Sequence, residues 1–424
     1  MARSIIIATV LRNTGETGVH THFQTWSAWL VNTGQGAPEL VTPYDRYKWL
    51  VYPIFAVRRL IAPLSGSFGL WWYRYWRQLC LYLNLKAVLA DGRACVIYAQ
   101  CPMSAQAAVA ARKSPAQRVA MIAHFNISEA DEWAGKGVIA RDGSLFRQIR
   151  AYEARVIPRV DRLVFVSAFM QQNIYQRIPN ASSIPGRVIP NFISRSQVQE
   201  AKRTITADLI CIGTLERRKN QHYALEIAAA ARRHGRPFRL TIVGDGPDRP
   251  ELVKSARKLG VGNDVIFTGH VDNVAALMIE HRACLHVSQM ESFGIVLIEA
   301  MSQGLPVFAS PVGGVPEVFS DGIEGRFIPL DDAALAARMI QQWLSDATAL
   351  RSAGTRARAR FEDRFETGKV AQELVDFLLQ DLIKAQGETE RQANSESMAT
   401  SVAAPDLPLH ASARSMDVSQ ESQA

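Results

Sequence analysis

Two glutamates, Glu291 and Glu299, stand eight residues apart in the stretch "MESFGIVLIEAMSQGLPVFAS" (290–310). A serine, an aromatic residue, a glycine and a short apolar run separate them. The preceding "CLHVS" reads as a buried strand, and Gly294 removes a Cβ where the chain turns into a helix over Ile295 to Gln303. That arrangement presents the amides of Phe293, Gly294 and Ile295 at a helix N-terminus. Unpaired donors and the positive end of the helix dipole suit a diphosphate there. A carboxylate at the mouth and another one turn inside the helix are strong acceptors for the diols of a ribose or a sugar. Spacing alone leaves a plainer alternative, with Glu299 on a solvated face and Glu291 as an N-terminal helix acid.

Other residues offer matching chemistry. The segment "GTLERRKN" (213–220) runs from Gly213 and Thr214 to the bases Arg217, Arg218 and Lys219, which could meet phosphate or begin a solvated helix. In "VGDGPDRPEL" (243–252), Gly244 and Gly246 form a turn, but no third glycine stands where a dinucleotide fingerprint needs one, so a nicotinamide-cofactor reading is rejected. His124 closes the strand-like "RVAMIAH", and a lone histidine is usually a satisfied polar residue. His20 and His22 cannot face one direction on a helix.

These residues need a frame, and length and composition supply one. The chain has 424 residues, 48% hydrophobic and 21% charged, enough for two domains with their own cores. In the first half, "SIIIATV", "ACVIYAQ", "RVAMIAH" and "RLVFVS" read as strands alternating with helical stretches. The second half repeats the pattern with "ADLICIGTL", "FRLTIVGDGP", "DVIFTGHV", "RACLHVS" and "LPVFASP", and Gly235 stops the helix "YALEIAAAARRHG". The expected fold class is α/β, two doubly wound Rossmann-like domains facing a cleft at their strand C-termini. Residues 1–195 form the first domain, 196–368 the second, 369–385 a C-terminal helix packing back toward the first, and 386–424 a polar disordered tail.

Five cysteines without a Cys-x-x-Cys pair suggest a reduced cytoplasmic setting. The N-terminal apolar run is too short for a secretory signal, and Leu60 to Tyr73 is too short and broken to span a bilayer. Net charge is +8, unevenly placed: residues 1–200 hold 23 Lys+Arg against 11 Asp+Glu, pointing that half at something anionic.

The segment "HVSQMESFGIVLIEAMSQGLPVFASPVGGVPEVFSDGIEGRFI" (286–328) resembles the Glu-x7-Glu region of the retaining family 4 glycosyltransferases, which have the GT-B fold. The resemblance extends over about residues 5 to 385. It implies that Glu291 holds the donor sugar and Glu299 the ribose, and that the reaction retains configuration. It implies no metal, in keeping with a chain that has no Asp-x-Asp, and no cofactor beyond the nucleotide-sugar donor. "GTLERRKN" resembles the family's Gly-Arg-Leu-x-x-x-Lys-Gly/Asn loop. Lys219 falls on the lysine that pairs with the diphosphate, and Thr214 replaces the arginine, a loss that Arg217 or Arg218 could offset. Gly244 and Gly246 match the Gly-Asp-Gly-Pro turn, and "IPNFI" (189–193) resembles the Pro-Asn turn at the domain junction. "TGETGVHTHF" (14–23) resembles the Gly-Gly loop before the first helix, with Thr17 and Gly18 at the two glycine positions; bare backbone there lets phosphate and acceptor approach. His124 stands where the family places a histidine near the donor sugar, able to steady charge at the anomeric carbon. Asp131, a few residues on, is a candidate acceptor base.

The stretch 44–83 is crowded with Trp, Tyr and Arg, which suits either a membrane interface or a buried helix pair. The expectation is a hexosyltransferase, peripheral on the inner face of the membrane, moving sugar from a nucleotide-sugar to a lipid-linked or saccharide acceptor in exopolysaccharide or lipopolysaccharide synthesis. An anionic membrane surface is an expected partner. Nucleic acid is not, because no recognition-motif pattern is present. The alternatives are a non-catalytic nucleotide-sugar-binding scaffold and a sugar-nucleotide epimerase on the same fold.

Overall fold

A computed structural model of the chain describes residues 5–15, 17–46, 48–61, 65–195 and 204–380. The apolar runs become strands covered on both faces: β1 Ile5–Ala8, β2 Glu39–Val41, β3 Cys95–Ala99, β4 Gln117–Ala123, β5 Arg162–Phe165 and β6 Gly186–Val188. The second set is β7 Ala207–Ile212, β8 Leu240–Val243, β9 Val265–Gly269, β10 His281–His286, β11 Val307–Ala309 and β12 Gly325–Phe327. They form two six-stranded sheets, ordered β2-β1-β3-β4-β5-β6 and β12-β11-β10-β7-β8-β9. All pairings between these strands are parallel, and the fold is the doubly wound pair that the sequence pattern indicates. Strand order reverses between β1 and β3 in one sheet and between β7 and β10 in the other, opening the crevices where such sheets bind ligands.

Central strands are almost wholly buried, with Ile6, Ile7, Ile97, Ile122 and Val164 in one core and Leu209, Ile242 and Leu285 in the other. The alanine-rich helix Gln221–Arg233 packs its Ala228–Ala231 face into the second core. Four of the five cysteines are buried, and all are free. At the junction, Ile193 pairs with Glu366, and Ile193 N donates to Phe365 O at 3.2 Å. Residues 367–380 are helical. Phe377 of this helix lies against the first domain, 4.9 Å from the Arg162 guanidinium and 5.1 Å from that of Arg187, and Gln35 donates to Gln372 at 2.9 Å. The linker residues 196–203, the end of the expected C-terminal helix and the tail 386–424 lie outside the described residues.

The aromatic stretch forms two helices, Lys48–Ile61 and Gly66–Val88. The second has two faces. Phe68, Trp71 and Tyr75 stay 48%, 43% and 50% exposed and stack in a row, whereas Arg74 and Arg77 are buried. These two arginines are therefore not basic flanks of a surface belt. Arg74 pairs with Glu129 at 2.5 Å, and Arg77 donates to the carbonyl of Val10. Among the described residues, no helix is long and apolar enough to cross a membrane.

Candidate active site

The second-domain wall of the cleft starts where β10 ends. Gly294 takes φ +93°, so the chain swings out of the loop and enters the helix Ile295–Ser302 with its first amides open. The loop rests on a glycine pair: a Cβ at Gly313 would sit 1.8 Å from the Glu291 carbonyl, and one at Gly314 would sit 2.1 Å from that of Ser292. Those glycines let the backbone of the Glu291–Ser292 loop pack directly against them.

Lys219 ends a short 3-10 turn, Arg217–Lys219, and Asn220 follows at φ +56°, a conformation asparagine tolerates. Lys219 Nζ donates to Glu291 Oε2 at 2.6 Å, and His286 Nε2 stands 3.3 Å from the same oxygen. Burial pushes the Glu291 carboxyl up, but Lys219 and His286 outweigh it and hold the group well below the usual range. Burial also lowers the His286 imidazole, leaving it neutral. Glu299 differs. It lies half-buried on the inner turn of the helix with no ion pair among the described residues, and burial pushes it up to about 7.

Gly213, Thr214, Arg218, Lys219, Glu291, Gly294, Ile295 and Glu299 line one cleft of about 640 Å³, and Gly18 and His124 line it from the first domain. Arg218, paired with Glu216 at 2.5 Å, faces this cleft, whereas Arg217 lines a separate cavity beside His222. Of the two arginines, Arg218 is the one that shares the cleft with Thr214. Gly244 and Gly246 stand behind the wall: a Cβ on Gly244 would meet Gly213 O at 2.2 Å, and one on Gly246 would meet Leu215 O at 2.3 Å. They shape the loop rather than line the cleft. The Phe293 side chain is buried against Phe365, with ring centroids 5.6 Å apart, and does not line the cleft.

On the first-domain side, His124 Nε2 lies 3.1 Å from Gln100 Oε1. Burial, then the neighbouring His22, lowers its pKa well below the usual value. His20 bridges Thr17 and the Arg12 carbonyl, pinning the loop before the first helix, and His22 lies inward against Tyr98. Asp131 is not in the cleft. It is 1% exposed and held by Ser128, by Arg150 at 2.5 Å and by Arg141 at 3.2 Å, which makes it a structural anchor and not an acceptor base. Its neighbour Glu132 lines the cleft instead, its pKa raised by burial against the pull of Arg218 and Lys136.

Sequence reasoning missed His286, Gln100 and Arg77, and passed over Glu132 in favour of its neighbour Asp131. His286 had a local signal, lying five residues before Glu291 at the end of strand β10.

The two domains meet around this cleft. Ser292 Oγ donates to His124 O at 3.0 Å, and Ser167 Oγ donates to Ser292 O at 2.8 Å. The Glu317 carboxylate accepts from Ala168 N at 2.7 Å and Phe169 N at 2.8 Å, capping a helix of the other domain. A Cβ at Gly18 would lie 2.9 Å from Ile295 Cδ1.

A family model described as glycosyl transferases group 1 matches residues 193–360, and one described as glycosyl transferase 4-like domain matches residues 17–191. A glycogen synthase of Mycobacterium tuberculosis is 32% identical over 260 residues, 60% of this chain and 61% of that protein. A lipopolysaccharide core biosynthesis glycosyltransferase, LpsE, of Rhizobium meliloti is 32% identical over 166 residues, 38% of this chain and 48% of its own. The matches thus span less than two thirds of these relatives' length. Among solved structures, Anabaena HepE in complex with UDP-glucose superposes with a TM-score of 0.66 at 17% identity, covering 89% of this chain and 99% of that one. A glycosyltransferase from Rickettsia africae does so with 0.65 at 13%, covering 90% and 99%. At such identities these two structures share the fold.

Proposed function

The chain belongs to the group 1 glycosyl transferases with a 4-like N-terminal domain, and from that premise we propose that it is a retaining glycosyltransferase. It moves a hexosyl group from a nucleotide-sugar to a lipid-linked or saccharide acceptor in cell-surface polysaccharide synthesis. The observation that carries this reading is the convergence of Lys219, the open amides at Ile295 and two carboxylates of opposite ionisation tendency on one cleft wall.

In this reading the diphosphate lies against the helix N-terminus and Lys219, while Glu299 takes the ribose diol and Glu291 the sugar hydroxyls. The bond from the anomeric carbon to the diphosphate oxygen breaks, and the electron pair leaves with the nucleoside diphosphate. Lys219, Arg218 and the helix amides stabilise that developing charge. The acceptor hydroxyl bonds to the same carbon on the face the diphosphate leaves, and its proton departs with the diphosphate. His124 steadies the sugar as positive charge develops. Positioning by the closed domains supplies the remainder of the acceleration. No resident cofactor takes part.

The exposed Phe68–Trp71–Tyr75 row and the basic first half support attachment to an anionic inner membrane face, where a lipid-linked acceptor would be met.

Incubation of the full chain with UDP-, GDP- and ADP-sugars and a membrane lipid extract, followed by mass spectrometry, tests the proposal. The expected product is a glycoside one hexose heavier than an acceptor in the extract, absent with Glu291→Ala. Donor binding without product across the panel would mark a scaffold, and free isomerised sugar would mark an epimerase.

A further inference from the structure

Gln100 follows strand β3 directly, at the point where the first sheet reverses its order, and its backbone amide donates to Ala8 O at 3.0 Å. Its side chain is 2% exposed, so its amide orientation is decided by its two neighbours. On one side, Gln100 Nε2 donates to the Tyr98 carbonyl at 3.4 Å; on the other, Oε1 lies 3.1 Å from His124 Nε2. Turning the amide over would set Oε1 against the Tyr98 carbonyl, two acceptors with no proton between them. The strand's own backbone therefore fixes Oε1 toward the histidine.

A carbonyl oxygen can only accept, so the proton must sit on His124 Nε2. Burial and the adjacent His22, at a ring separation of 5.1 Å, keep the imidazole neutral, and a neutral imidazole carries one N–H. Nδ1 is then a bare lone pair. It makes no hydrogen bond to the described protein and is not among the sealed polar atoms, and the ring lines the cleft. From the opposite side, Ser292 Oγ holds the His124 carbonyl, so the ring's backbone is tied to the loop that carries Glu291.

We propose that Gln100 is a positioning residue that fixes His124 as its Nε2–H tautomer and so presents Nδ1 to the donor as a hydrogen-bond acceptor. A hydroxyl of a neutral sugar satisfies that lone pair. A carboxylate or carbonyl oxygen at the same point is repelled by it, so the arrangement favours plain hexoses over sugars with an acidic group there. The sugar-facing role rests on the transfer reading above; the tautomer itself does not.

The test uses the full chain with its histidine rings labelled with nitrogen-15, the His124 signals being identified by their loss in His124→Ala. Ring-nitrogen shifts are expected to show a protonated Nε2 and a bare Nδ1. In Gln100→Glu, which keeps an acceptor, Nε2 stays protonated. In Gln100→Met, which keeps length and loses the acceptor, His124 shifts to the Nδ1–H form or a mixture. In that variant kcat falls about tenfold, the worth of one oriented hydrogen bond, while affinity for free UDP, GDP or ADP is unchanged. A wild-type Nδ1–H signal, or an unmoved tautomer in Gln100→Met, overturns the assignment. A moved tautomer with full turnover overturns the sugar-facing role. If no sugar is transferred at all, the spectra still decide the tautomer.

Discussion

Lys219 Nζ and Glu291 Oε2 lie 2.6 Å apart, so the cation and the carboxylate that the proposed reading assigns to the donor phosphate and the donor sugar hold each other. Both side chains are mostly buried, at 17% and 10% exposure, and each is the other's main compensation. Removing one leaves an uncompensated charge in the cleft. Lys219→Ala is expected to lower stability by about 3 kcal/mol and to abolish donor turnover, and a double-mutant cycle with Glu291→Gln should recover much of the stability loss. Additive losses in thermal melts would show that the pair is not coupled.

The same pair sets an acid limit. Lys219 and His286 depress the folded-state pKa of Glu291, so its contribution is complete above the unfolded carboxyl value and is lost as pH falls through the lower folded value. Relative to Glu291→Gln, the wild-type chain should therefore lose stability faster below about pH 4. Parallel acid-denaturation curves for the two proteins would contradict this.

Glu299 titrates in the opposite sense. Its carboxyl rises from 4.5 to about 7, so the folded state binds the extra proton and stability falls as pH climbs through that window. Glu299→Gln should raise Tm by roughly 2 °C at pH 8 and leave it unchanged at pH 5. A ribose diol donating to Glu299 favours the ionised form, so nucleotide-sugar binding at pH 7 should release up to about half a proton. Calorimetry in buffers of different ionisation enthalpy measures that release, and none in wild type would remove Glu299 from the ribose site.

Asp131 and Glu132 are adjacent, yet only Glu132 faces the cleft. Asp131→Asn should cost about 3 kcal/mol by unbalancing Arg150 and Arg141, with kcat per folded molecule unchanged. Glu132→Gln should have the reverse profile, a raised acceptor KM on a stable protein. Thermal melts beside steady-state kinetics separate the two.

Phe68, Trp71 and Tyr75 form an exposed row on one helix face. Replacing all three with serine should abolish flotation with vesicles containing anionic phosphatidylglycerol, leaving binding of UDP, GDP or ADP intact. Unchanged flotation would assign the row another role.

The second-domain wall of the cleft was legible because Glu291, Gly294, Glu299 and the Gly313–Gly314 pair fall within one short segment, where spacing is geometry. The opposite wall was legible only at Gly18 and His124, since Arg77, Gln100 and Glu132 come from separate elements and only tertiary packing brings them together there. Arg77 was hidden by its setting, an arginine among aromatics that reads as a surface belt until its buried bond to Val10 O is seen. Asp131 did carry a signal: "SEAD" puts it three residues after the helix-capping Ser128, a position that favours capping over chemistry. Among strands, β2, β6 and β12 escaped notice. Each has three residues and sits at a sheet edge, where one hydrogen-bonded flank suffices and no long apolar run is needed.

Glu317 reaches across the domain boundary to cap the helix Ala168–Arg177, and Glu317→Ala strips two amides of their acceptor, at a cost of about 1 kcal/mol. That loss falls on the closed arrangement alone. Small-angle scattering should show a larger radius of gyration and kinetics a slower turnover, with Glu317→Gln in between. A radius unchanged in the alanine variant would mean that other contacts keep the domains shut.

Where Gly18 meets Ile295, the lobes are separated by the width of a missing methyl group. The gap works as a stop whose height is one side chain. Alanine at 18 would act as a shim that meets the tip of the Ile295 side chain and presses it aside. Such a shim would change an apolar fit between the lobes without touching any charge.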